Sequence, residues 1–410
     1  MALYVQRWIK IALFNLFIVA SIGVVLRYKI AFSLPFIDQK HLLHGHSHFA
    51  FTGWIAQAIM VLLVAYLAAQ TGEAIYKRYR WLLYANLITA YGMLITFPIE
   101  GYGLYSIIFS TLSIFVSYFF ALYYWRDLNA LKIKNTAHSW FKAAVFFNAF
   151  SSLGAFALAA MMVARIVHQN WYLAAEYFYL HFQYNGWFFF ACMGLLTAKL
   201  SAHADPVILK RIFLLFVCAL VPAYFLSALW MNIPLWVYVL VIVAAFAQVL
   251  GWIYTIGIIK KQSQILKASM PPIAKWILLF SAAALSIKLL LQLGSTIPSL
   301  SNLAFGFRPI VIGYLHLVLL GVITLFLVGY ILTCYILTIN KYTMAGVIIF
   351  TCGIIINEIF LMTQGVAALY YTNIPFINQL LLVAALIMFS GLLLLVTSQK
   401  KKTKSDLSHN

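Results

Sequence analysis

Charge is what this sequence has least of: only 9% of its 410 residues are Asp, Glu, Lys or Arg, and 8 of them are acidic, against 65% that are hydrophobic. A water-soluble domain of this length could not cover its surface with so few charges, so lipid has to be the main solvent. Long polar stretches are missing too, which leaves no room for a soluble domain. Cysteine is sparse: Cys192, Cys218, Cys334 and Cys352 all fall within apolar runs and show no paired spacing. That pattern speaks against a zinc ribbon or a redox pair and suits lipid-facing or core positions. The first apolar run lacks a small-residue cleavage site and is too long for a signal-peptide core, so it reads as a spanning helix.

What the chain has in abundance is apolar runs of about twenty residues, each long enough to cross a hydrocarbon core about 30 Å thick. The runs are approximately 9–30, 44–70, 81–98, 104–125, 141–165, 174–198, 212–230, 236–259, 276–293, 309–337, 343–366 and 378–398. The expected fold is therefore an all-α integral membrane protein with twelve transmembrane helices, one domain over 1–398 and a basic tail over 399–410. The net charge of +19 would suggest nucleic acid in a soluble protein. Here the basic residues sit in short connections, where they set topology. With the N-terminus in the cytoplasm, 21 of the 27 Lys and Arg lie inside; Arg27, Lys29, Lys40, Arg165 and Arg308 lie outside, and Lys288 stays within a span. Both termini are then cytoplasmic, in what is expected to be a bacterial inner membrane. The expected partners are the bilayer and possible redox or respiratory-type subunits, with no nucleic acid.

The chain also repeats itself. His48-Phe-Ala-Phe-Thr-Gly53-Trp54 is echoed by His181-Phe-Gln-Tyr-Asn-Gly186-Trp187 and, more faintly, by His316-Leu-Val-Leu-Leu-Gly321. The three histidines are 133 and 135 residues apart, with four spans in each interval. The pattern predicts three four-helix repeats, about 1–135, 136–270 and 271–398, in a pseudo-threefold arrangement. Each histidine enters its span from the external face, so the three share one depth.

Neutral imidazoles on two helices can clamp a haem iron from both faces. The glycine five residues beyond each histidine would admit a flat macrocycle or a neighbouring helix. His41, His44, His46 and His48 crowd the start of the second span. Spacings of three and four align His41, His44 and His48 on one face, with His46 roughly opposite. This cluster could hold haem or a transition metal, so His44, His46, His48, His181 and His316 are the candidate metal ligands. His138, His203 and His409 read as loop or tail residues, and His168 as a rim residue. Lys288 and Glu358 are the isolated charges within spans, expected to pair with each other or to carry protons.

The segment Ile312-Gly313-Tyr314-Leu315-His316-Leu-Val-Leu-Leu-Gly321 resembles the tenth helix of the haem-copper oxidase catalytic subunit, subunit I, a superfamily that includes the nitric-oxide reductases. That resemblance implies twelve helices in a pseudo-threefold arrangement and a low-spin b-type haem between His316 and His48 or His44. His181 stands at the position of the family's sixth-helix copper ligand, with Tyr184 three residues on. The chain departs from the family elsewhere: Tyr314 occupies the place of the high-spin haem ligand, and the seventh span, 212–230, contains no histidine. A complete three-histidine copper site and oxygen reductase activity are therefore not expected, and any enzyme would be a respiratory-type oxidoreductase.

Arg308, eight residues before His316, is the first choice for a haem propionate at roughly 12 Å along the helix axis, with Arg27 and Arg165 behind it. The expected function is electron transfer or binding of a small gas such as NO or O2. The chain also resembles the NnrS nitric-oxide-response family, which is polytopic and haem-binding. A transition-metal or substrate transporter using the histidine cluster is the reading from another class; a scaffold that has lost its cofactors is a third.

Overall fold

The computed structural model describes residues 2–231, 233–300 and 307–399. Every described regular element is helical. We number the long helices α1 (Ala2–Ala31), α2 (Gln39–Thr71), α3 (Ile75–Glu100), α4 (Leu104–Ala130), α5 (Thr136–Val163), α6 (Gln169–His181 continued through Phe189–Leu200), α7 (Pro206–Ala228), α8 (Leu235–Lys261), α9 (Pro272–Gly294), α10 (Arg308–Thr333), α11 (Lys341–Leu369) and α12 (Ile377–Thr397). Eleven of these are long and apolar enough to cross a membrane; α6 is of comparable length but falls outside that group. All twelve expected runs coincide with a helix.

The helix ends follow from local chemistry. Asp38 accepts the N–H of His41, Asn135 that of Ala137, Asp205 that of Val207 and Asn340 that of Thr343, each satisfying an N–H that has no partner within its own helix. Pro206 and Pro272 stand in the first turns of α7 and α9, where a missing N–H costs nothing. Gly72 and Gly101 end α2 and α3 at φ of 92° and 61°, a region that side chains other than glycine rarely enter.

Neighbours in sequence pack as neighbours in space, and α12 returns against α1 and α11 to close the bundle. The α11–α12 contact depends on small residues: a Cβ on Gly346 would stand 2.7 Å from the Leu395 backbone nitrogen. Closure is reinforced where Lys10 donates to the carbonyl of Gln399 at 2.7 Å and Gln399 donates to Thr338 and Thr343. Gln399, expected to open the tail, is thus part of the packed body; 400–410 lie outside the described residues. One ion pair among the described residues, Arg78–Asp127 at 2.6 Å, joins α3 to α4, with Tyr79 donating to the other carboxylate oxygen at 2.7 Å.

The centre belongs to α2, 78% of whose most apolar stretch is buried, against 17% for α4 at the periphery. Cys192 is buried, Cys334 is partly exposed, and Cys218 and Cys352 are exposed on the apolar surface.

Candidate functional site

Each of the three repeated histidines is followed by a π-helical segment: Ala50–Ala56 after His48, Phe182–Phe188 after His181 and Leu317–Thr324 after His316. π turns are rare, and they concentrate at functional sites. A wide turn leaves backbone carbonyls without their usual partners, and here side chains supply them. Asn15 of α1 donates to Gly53 O at 2.6 Å, Asn86 of α3 to Thr52 O at 3.0 Å and Ser281 of α9 to Val322 O at 2.8 Å.

The three segments also meet. Trp54 donates to Thr324 at 3.0 Å, Phe51 packs on Phe188 with ring centroids 5.3 Å apart, and the α6 and α10 segments touch each other. The repeated glycines lie inside these segments, and neighbouring helices use the space. A Cβ on Gly186 would stand 2.7 Å from Phe147 of α5, and one on Gly321 would stand 3.1 Å from Ala284 of α9.

The crowded start of α2 divides into two faces. His48 stacks on Phe97 at 4.3 Å, His44 meets Tyr102 edge-on at 4.7 Å, and His41 lies over Gly101. All three aligned histidines therefore address α3 and the turn after it, away from α10. His46 points the other way, over Gly23 of α1, and lies within electrostatic reach of His316 and Arg27. Of the histidines at the start of α2, His46 is thus the one that interacts electrostatically with His316, while His44 and His48 pack against α3 and the turn after it.

His46 and His316 each keep a ring nitrogen without a hydrogen-bond partner among the described residues. His316 donates from Nδ1 to Ile312 O at 2.8 Å, and its Nε2 has no hydrogen-bond partner among the described residues. The Nδ1 of His46 is buried without a hydrogen-bond partner among the described residues. A backbone carbonyl that holds one ring nitrogen fixes the tautomer and leaves the other nitrogen a free lone pair, as in a metal-ligating histidine.

His181 differs. Its Nε2 donates to Leu220 O at 2.9 Å and its Nδ1 accepts from Asn185 at 3.1 Å, so both nitrogens are engaged. Tyr184 is buried beside Tyr314, with ring centroids 6.4 Å apart.

The charged residues also separate. Glu358 accepts from Asn357 and faces Arg27, while Lys288 lies 5.8 Å from the Phe189 ring centre and faces His181. The expected Lys288–Glu358 pair does not form. Arg27 is the arginine beside the His46–His316 pair, whereas Arg308, at the exposed start of α10, is not placed against either ring. His138, expected in a loop, is instead 6% exposed in the first turn of α5 and bonded to Tyr66 at 2.8 Å. The spacing that aligned His41, His44 and His48 drew sequence reasoning away from His46, and the partner of a face cannot be read from helical periodicity. Among the described residues, no three His, Cys, Asp or Glu side chains gather into a metal-holding group. No protein-family model and no curated protein matches the chain.

Proposed function

We propose that this chain is a haem b protein of a bacterial inner membrane, built as a degenerate haem-copper oxidase subunit I of three four-helix units around a pseudo-threefold axis. On this reading His46 of α2 and His316 of α10 hold one low-spin haem. The observation that carries it is the unpartnered ring nitrogen on each of these two side chains, on the two helices the resemblance singles out. Each keeps one ring nitrogen without a hydrogen-bond partner among the described residues, and His316 holds its other nitrogen on the Ile312 carbonyl. Two neutral nitrogen donors suit a bis-histidine iron, and Arg27 beside them suits a propionate.

The haem, when bound, supplies one-electron carriage. The residues of this chain set what else is possible. If His46 and His316 both held the haem, no donor position would be left for a gas, which favours electron transfer over gas binding. A copper centre at the family's position lacks its donors: α7 contains no histidine, and His181 has committed both ring nitrogens to Leu220 and Asn185. The concentration of Lys and Arg on one side supports cytoplasmic termini, and the π segments that meet one another support the pseudo-threefold axis.

The test is the visible spectrum of the purified full-length protein, oxidised and then reduced with dithionite. Sharp reduced-state bands of a six-coordinate b-type haem are expected. A preparation that folds and takes up a divalent transition metal but shows no haem bands would overturn the proposal in favour of a metal-handling protein.

A further inference from the structure

A second polar feature lies apart from the His46–His316 pair, on the seam between α2 and α6. There a partly open cavity of about 40 Å³ is bounded on one side by Thr52 and Asn86 and on the other by Asn148, Ser151 and Gln183, with Ser117 of α4 also in its lining. None of its lining residues is charged, and both neighbouring π segments contribute to it.

Each wall has its own hydrogen-bonded cluster. Asn86 donates to Gln57 Oε1 at 2.8 Å and to Thr52 O at 3.0 Å. Opposite, Gln183 donates to Asn148 Oδ1 at 3.0 Å and to Ser151 at 2.7 Å. Neither cluster satisfies itself. Gln57, which lies behind the lining residue Asn86, is 0% exposed and its Nε2 has no partner, and the amide nitrogen of the lining residue Asn148 makes no hydrogen bond among the described residues. An amide buried in an apolar medium without a partner is costly, and a polar cavity that exceeds one probe sphere takes up water where an apolar one stays dry.

We propose that this chamber binds a cluster of ordered water that bridges the Gln57–Asn86 and Asn148–Gln183 clusters into one hydrogen-bonded chain across the seam. At about 10–15 Å³ apiece the space admits roughly three molecules. Its lining mixes these polar groups with Phe51, Met60, Ile114 and Trp187, so the water sits against the polar walls. The site stands independently of haem.

Radiolytic hydroxyl-radical labelling of the full-length protein tests this, because radicals formed from bound water oxidise the side chains beside it. Met60 lines the cavity and Met93 does not, yet each is 1% exposed. Met60 is expected to be oxidised several-fold faster than Met93. Equal rates would overturn the proposal, and that comparison needs no variant. Ser117→Leu adds bulk to the chamber without touching either amide cluster, and in folded protein it should bring the Met60 rate down to that of Met93. A Met60 rate unchanged in folded Ser117→Leu would also overturn it.

Discussion

At the residue scale, the tautomer chemistry of three histidines separates their roles. His181 donates from one nitrogen and accepts at the other, so coordination of a metal would break one of two buried bonds. His316 and His46 would lose nothing comparable. His181→Ala is therefore expected to leave any haem spectrum intact while lowering stability by about 1–3 kcal/mol, because the Leu220 carbonyl and Asn185 amide lose their partner; denaturant titration and the visible spectrum of the same preparation read both outcomes. Lys288 poses the opposite question. It is 4% exposed, and the face of Phe189 is its nearest favourable contact. Replacing an unpaired buried charge by an apolar side chain of similar volume tends to be neutral or stabilising. Lys288→Met should hold or raise the thermal midpoint; a clear fall would show that the ammonium has a partner that matters to the fold.

At the element scale, the π segments depend on the side chains that satisfy their carbonyls. Asn15 is 0% exposed and donates to Gly53 O while accepting from Tyr91 at 2.7 Å. Asn15→Leu leaves both groups unpaired in an apolar surrounding and should cost about 1–3 kcal/mol or more, measured as a shift in denaturation midpoint against an exposed control such as Ile88→Leu. The start of α2 is sensitive to acid. The His41 N–H donated to Asp38 holds that carboxyl below its usual range. A carboxyl lowered by folding stabilises above its unfolded value and loses that contribution as pH falls through the folded one. Protection of the amides in the first turn of α2, measured against their intrinsic exchange rate at each pH, should therefore fall in acid, and Asp38→Ala should remove the dependence.

Elements were also where the sequence was most readable. Twenty-residue apolar runs fix a helix because the bilayer leaves few alternatives for the backbone, and the repeated His and Gly residues pointed to the three π segments without revealing them. A π turn shifts the register by about one residue, a change that hydropathy does not report. Spacing set His46 opposite His44 and His48, but which of those faces of α2 turns toward α10 depends on how α1 and α3 pack on either side of it, which spacing does not report. Likewise, apolar surroundings marked Lys288 and Glu358 as unusual but could not say that different neighbours separate them.

At the scale of the whole molecule, α1 and α12 pack together and Gln399 ties the last helix to Lys10 and Thr338, so both ends of the bundle's chain emerge on one side. On the proposed reading the distribution of Lys and Arg puts that side in the cytoplasm: a green fluorescent protein fused after Asn410 should fluoresce, and alkaline phosphatase fused at the same point should be inactive. The reverse pattern would invert the topology.

The central claim is that one iron is held between His46 and His316, and electron paramagnetic resonance of the oxidised protein addresses it most directly. The wild type should give a low-spin ferric signal of bis-imidazole character. His46→Ala and His316→Ala should each convert it to high-spin or abolish it, whereas His44→Ala and His48→Ala should leave it in place. Loss of the low-spin signal in His48→Ala with its retention in His46→Ala would contradict the account.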